Sequence, residues 1–154
     1  MKKVTIIRHA ESKFNAGLCK TDDELRNCGL TDWGKQQAGN LNQDFDILIV
    51  SKLRRAIETY KNSNISAEQV IFSHLPREQK EGHTLNFLEG EAIEPESPDD
   101  VRKMAREFAK FIKTLDGENI GIISHGFFIS YFLGECGQQM VPTYNIQAIT
   151  FDLV

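Results

Sequence analysis

Cysteine is scarce in this chain. There are three in 154 residues, and Cys19, Cys28 and Cys136 have no metal-ligand spacing. An odd number at such intervals argues against a disulfide framework and for a reducing compartment, so the expected location is cytoplasmic. No apolar run approaches the ~18 residues that a membrane span needs. Only four strand-like residues follow the initial Met-Lys-Lys, too few for the apolar core of a secretion signal. Positive charge is not in excess either. The formal net charge is −4, which implies no nucleic-acid partner. Internal repeats and low-complexity tracts are also missing. These exclusions leave a chain of ordinary composition, 1–154, long enough to bury one core as a single domain. The oligomeric state is not legible in it.

What the chain does have is an alternation of strand and helix signals. Strand-like runs occur at Val4–Arg8, Asp46–Val50, Gln69–Phe72, Asn119–Ser124 and Ala148–Leu153. Thr31 is a plausible cap for a helix that opens with Asp32 and Trp33. Leu53, Ala56, Ile57 and Tyr60 keep the spacing of one helix face. Ser97-Pro98-Asp99-Asp100 combines a capping hydroxyl, a proline in the first turn and acids that suit the positive helix end. Val101, Met104, Ala105, Phe108, Ile112 and Leu115 then form a stripe that ends near Asp116-Gly117, and Phe127–Leu133 reads as a short buried helix. The alternation predicts an α/β fold. It is a single three-layer domain, with a mostly parallel central sheet and helices on both faces. Between Leu75 and Glu96 there is no periodicity, and so long a loop in a small domain is usually functional or mobile.

The chemistry concentrates where strands end. Val4-Thr5-Ile6-Ile7 runs into Arg8-His9, and ligands of open α/β sheets bind at the carboxyl ends of strands. An imidazole with one nitrogen unprotonated is a good nucleophile toward phosphorus, and a guanidinium matches phosphate oxygens with a rigid fork of donors. Ile122-Ile123-Ser124-His125-Gly126 repeats the pattern, so two histidines can converge on one crevice. Arg55 falls in the first turn of the helix after the second strand. A cation is disfavoured there unless an anion holds it. Arg54 is expected to face solvent, and His74 and His83 read as surface residues. Expelling an alkoxide needs a proton donor. Glu78, Glu81, Glu89, Glu91, Glu94 and Glu96 all lie in the long loop, and composition does not choose among them.

Taken together, these residues resemble the histidine phosphatase superfamily, the phosphoglycerate-mutase-like proteins. Arg8-His9-Ala10-Glu11-Ser12, followed by Asn15, looks like its opening motif. Leu30-Thr31 with Gly34, Gln37 and Ala38, then Ser51, Leu53, Arg55, Ala56 and Thr59, resemble its next two blocks, and Ser124-His125-Gly126 resembles the block with its second histidine. The order is right and the matches cover most of the chain. Departures are Ala10 where Gly is common, Lys52 where Pro is common, Glu58 where Gln is common, and Phe127 at a place that is often small or polar. They touch the rim of the pocket and therefore the substrate.

The resemblance implies that His9 is the phosphorylated nucleophile. It implies that Arg8, Arg55 and His125 hold the phosphoryl oxygens, with Asn15 and Gly126 in the same pocket. It selects Glu78 in Leu75-Pro76-Arg77-Glu78 as the acid. His9 should be neutral, one nitrogen donating to a backbone carbonyl, with nearby cations lowering its pKa. Neither metal nor cofactor is implied, since preorganised donors stabilise the transferring charge. The expected activity is hydrolysis of a small phosphate ester or a phosphoprotein. The alternatives are phosphoglycerate-mutase-type transfer, for which such chains are typically longer, and a non-catalytic phospho-ligand binding module.

Overall fold

The computed structural model describes residues 1–79 and 96–154. Its order is β1 (Lys2–Arg8), α1 (Asp22–Arg26), α2 (Asp32–Ala38), β2 (Asp44–Ser51), α3 (Arg54–Asn62), β3 (Ser66–Ser73), α4 (Pro98–Thr114), β4 (Asn119–Ser124), α5 (Gly126–Glu135) and β5 (Ala148–Leu153). The strands form a five-stranded sheet ordered β3-β2-β4-β1-β5. All neighbours are parallel except β5, which runs antiparallel to β1 at one edge.

Alternation along each strand divides the core in two. Val4, Ile6, Ile47, Ile49, Ile120 and Ile122 face α4 and α5, where Val101, Ala105, Phe108 and Ile112 meet Phe128 and Phe132. Ile7, Leu48, Val50 and Ile123 face the other way, onto Ala56 of α3. This is the three-layer α/β arrangement expected from the alternation. Gly121 of β4 makes room for a neighbour: a Cβ there would lie 2.5 Å from the ring of Phe45.

The predicted caps also hold. Thr31 accepts from the Gly34 N–H, and Ser97 and Asp100 form a reciprocal capping box at the start of α4. The ends of β2 and β3 differ from expectation. Both start earlier, because Asp44 pairs with Ser66 and Phe45 with Ala67. Backbone pairing at a half-exposed edge does not require apolar side chains. Helix α1 was not expected. Its signal is Thr21, whose side chain accepts from the Glu24 N–H.

Candidate active site

The site sits where β1, β4 and β2 end side by side. Arg8 is in register with Ser124, and the His9 N–H donates to the Ser124 carbonyl at 3.0 Å. One step beyond the sheet edge, His9 and His125 therefore face each other, with ring centroids 5.1 Å apart. Ser51, the last residue of β2, has its Oγ 2.8 Å from Nε2 of His125. Strand register, not proximity in the chain, brings these groups together.

His9 is buried, and its Nδ1 lies 2.6 Å from its neighbour's carbonyl, Ala10 O. A carbonyl only accepts, so Nδ1 carries the proton and Nε2 keeps a lone pair. The Arg55 Nε–H, 3.3 Å away, points at that lone pair. The expected tautomer is thus fixed by two neighbours. The pKa of His9 is held well below its ordinary value by burial first, then by Arg55 and Arg8. Sequence reasoning credited the cations, but desolvation is the larger cause. His125 is depressed in the same way, by burial and then by Arg55.

Arg55 is a buried residue in the first turn of α3, as its position after β2 suggested. Arg54 faces solvent and pairs with Glu58 at 3.0 Å. Helix α3 has no side-chain cap of its own residues; the Arg54 N–H donates instead to Asn27 Oδ1 at 2.8 Å. Thr59 Oγ1 accepts from the Ala10 N–H at 3.0 Å and donates to the Arg55 carbonyl at 2.7 Å. It ties the loop that carries His9 to the helix that carries Arg55. Gly34 lets α2 close on that loop, since a Cβ there would lie 2.1 Å from the Glu11 carbonyl.

Among the described residues, Glu78 is the loop carboxylate that lines the cleft. It is a buried residue, and its Oε2 and Oε1 accept from the Phe127 and Phe128 N–H groups at 3.1 and 2.9 Å. These are free donors at the amino end of α5, so the carboxylate caps the helix that follows His125. Burial nevertheless dominates and raises the pKa of Glu78, against those two N–H groups and Arg55. Glu81, Glu89, Glu91 and Glu94, like His83, lie outside the described residues. The carbonyl of Glu96 accepts from the Gln79 side chain at 2.9 Å. His74 is exposed, as expected.

Arg8, Glu78 and Gly126 line one cleft of about 340 Å³ with Phe127, Ser130, Met140, Val141, Pro142 and Thr143. Arg8 donates through one terminal nitrogen to the Thr143 carbonyl. Gly126 lies against its guanidinium, with an added Cβ 3.6 Å from Cζ. Among the described residues, Arg8 Nε and His125 Nδ1 are buried without a hydrogen-bond partner. The orphaned Arg8 Nε–H, which can only donate, points to a bound acceptor. Asn15 is exposed and is not among the residues that line this cleft. Its Oδ1 accepts from the Ser12 N–H at 3.1 Å and from Asn145 Nδ2 at 3.3 Å.

Three contributors escaped the sequence. Asn145 also donates to the His9 carbonyl at 3.0 Å. Thr143 supplies the carbonyl that anchors Arg8. Arg77 is buried near enough to His125 and Arg55 to lower the pKa of each. The first two follow α5 in a stretch without periodicity, and only the fold returns it to β1. Arg77 had a signal, since it adjoins Glu78. Among the described residues no cluster of three His, Cys, Asp or Glu could hold a metal ion, and no helix is long and apolar enough to cross a membrane.

Two neutral histidines carry a pH signature. Unfolded, each takes up a proton near 6.5, while the folded chain resists until lower pH. The unfolded state binds more protons in that window, so stability falls as pH drops below about 6.5. Glu78 has the opposite sign, keeping its proton above 4.5 where the unfolded chain has lost it, but it is one group against two. The melting temperature is expected to fall from about pH 7 to about pH 5.5, and to fall less in His125→Gln. An equal or larger drop in the variant would show that His125 is not held neutral.

No family model matches the chain, and no curated protein matches it by sequence. Solved structures do match. Phosphoserine phosphatase from Entamoeba histolytica, in complex with 3-phosphoglyceric acid, aligns over 98% of this chain and 90% of its own, at 20% identity and TM-score 0.71. A mycobacterial glucosyl-3-phosphoglycerate phosphatase aligns over 97% and 89%, at 16% identity and TM-score 0.67. A protein from Thermus thermophilus aligns over 97% and 92%, at 19% identity and TM-score 0.69. Over nearly its whole length, then, this chain has the fold of these three structures, which is the fold implied by the resemblance of its motifs.

Proposed function

We propose that this chain is a phosphatase of the histidine phosphatase type, hydrolysing phosphate monoesters through a phosphohistidine on His9. The observation that carries this reading is the state of His9. It is neutral and buried, its proton is committed to a carbonyl, and its lone pair is turned toward Arg55. In the first step Nε2 of His9 forms a bond to phosphorus while the ester oxygen leaves, taking its proton from Glu78. In the second, water attacks phosphorus, gives its proton to Glu78, and the bond to His9 breaks. The products are the alcohol and inorganic phosphate. Arg8, Arg55 and His125 bind the phosphoryl oxygens and balance charge in the transition state. Gly126 lies beside the Arg8 guanidinium, and Asn15 joins the same site through Asn145, which also holds the His9 carbonyl.

A small phosphorylated molecule is favoured over a phosphoprotein because a solved structure of this fold holds 3-phosphoglyceric acid. A cytoplasmic location fits the three free thiols. Hydrolysis of an aryl phosphate is expected to persist in a chelator, because cations of the chain supply the charge that metals supply elsewhere. Inorganic phosphate or vanadate should raise the melting temperature by several degrees at saturating concentration. Arg55→Ala should lose most of that rise. Equal stabilisation of both proteins would put the anion elsewhere, and activity restored only by a divalent ion would refute the mechanism.

A further inference from the structure

We infer that the cleft wall formed by Phe127, Met140, Val141 and Pro142 is an apolar leaving-group subsite, selecting phosphate monoesters of apolar, uncharged alcohols over those that carry a carboxylate. This rests on the phosphatase reading and adds a substrate class to it.

Three observations converge. The wall is continuous with the phosphoryl site, since the same cleft is lined by Arg8, Glu78 and Gly126. An alcohol expelled toward Glu78 must therefore lie along it. The wall is apolar and open: Phe127 is 53% exposed and Met140 47%. Adjacent exposed apolar side chains beside a polar site mark a binding surface. Met140 is seated as well, because a Cβ on Gly134 of α5 would lie 2.9 Å from its Cγ. Finally, the charged residues lining the cleft, among those described, are Arg8 and Glu78. Arg8 serves the phosphoryl group, and Glu78 is neutral or negative. A carboxylate on the alcohol would lose water against this wall and, among the described lining residues, meet no cation besides Arg8. The polar lining that remains, Ser130 and Thr143, suits a hydroxyl or an ether oxygen. Thr143 Oγ1 is buried without a partner.

The test uses substrates matched in leaving-group basicity: ethyl, butyl and hexyl phosphate, and the phosphate ester of 6-hydroxyhexanoate. kcat/KM is expected to rise about twofold for each added methylene on a half-open wall, and to be at least ~10-fold lower for the carboxylate ester than for hexyl phosphate. In Met140→Ser and Val141→Ser the ratio of hexyl to ethyl should fall toward unity. A flat chain-length series, or a preference for the carboxylate ester, overturns the proposal. Binding of ethyl- and hexylphosphonate, which cannot be hydrolysed, is measured in parallel by calorimetry. If no ester is turned over, the phosphatase reading falls, while the phosphonate affinities still decide the subsite. Tighter hexylphosphonate binding, lost in Met140→Ser, supports it, and equal affinities overturn it.

Discussion

His9→Ala is expected to lower turnover of any phosphate monoester by at least ~10³-fold and to abolish the phosphoenzyme. The size follows from what is removed. Without an imidazole at the end of β1, the two-step route closes, and water must attack an ester held only by charge. A factor of ~10³ corresponds to about 4 kcal/mol of transition-state stabilisation. The measurement has two readouts: steady-state release of phosphate, and acid-labile phosphate trapped on denatured protein after mixing with excess substrate. Both should vanish together. The anion should still bind, because Arg8, Arg55 and His125 are untouched, so phosphate should still raise the melting temperature of the variant. That control separates lost chemistry from lost fold. The roles of the two histidines would be reversed if His9→Ala kept substantial activity and trapped phosphate while His125→Ala lost both.

For Glu78→Gln the expected loss depends on the leaving group. Alkyl phosphates expel a basic alkoxide and should slow by about 10²-fold or more, whereas aryl phosphates with good leaving groups should be largely spared in the first step. The structure adds a second, separable effect. The carboxylate accepts from the Phe127 and Phe128 N–H groups, and a glutamine has only one acceptor oxygen to offer them. Loss of part of this cap should cost about 1 kcal/mol of stability. It would act on both substrate classes alike, so the alkyl-to-aryl ratio isolates the proton transfer. The pH dependence follows from the raised pKa of Glu78. Alkyl phosphate hydrolysis should decline as pH rises through that value, and the decline should be missing in Glu78→Gln. An equal, small loss for both classes would move the acid to another residue of the loop and leave the rest of the mechanism intact.

Local sequence carried the elements a long way. β1, β4 and β5 were legible because their apolar runs are bounded by polar residues, and α4 because its cap and its stripe agree. Such signals act over a few residues, within the reach of hydrogen-bond patterns and side-chain periodicity. Arg8, His9 and His125 were singled out because a strand that ends in a charged or imidazole side chain is visible in one dimension. Arg55 was singled out by its place in the first turn of a helix, and Glu78 by the family resemblance alone. The proton arrangement of His9 was legible too, since Nδ1 bonds to the adjacent residue.

The rest depended on contacts between residues far apart in the chain. Which acid reaches the cleft was undecided by composition. Glu78 does so by docking on the amino end of α5, about fifty positions away. Asn145 reaches the His9 carbonyl, and Thr143 anchors Arg8, from opposite ends of the chain. Such pairs obey no local period; the sheet order β2-β4-β1 and its parallel register create them. The pKa shifts belong to the same class, because burial, their largest cause at His9, His125 and Glu78, exists only once the layers close. By itself the sequence determined most of the strands and helices and which residues were candidates for the chemistry, since these follow from neighbours along the chain. Only the tertiary structure decided their mutual distances, their protonation and the apolar wall beside them, because desolvation and long-range hydrogen bonds arise from packing.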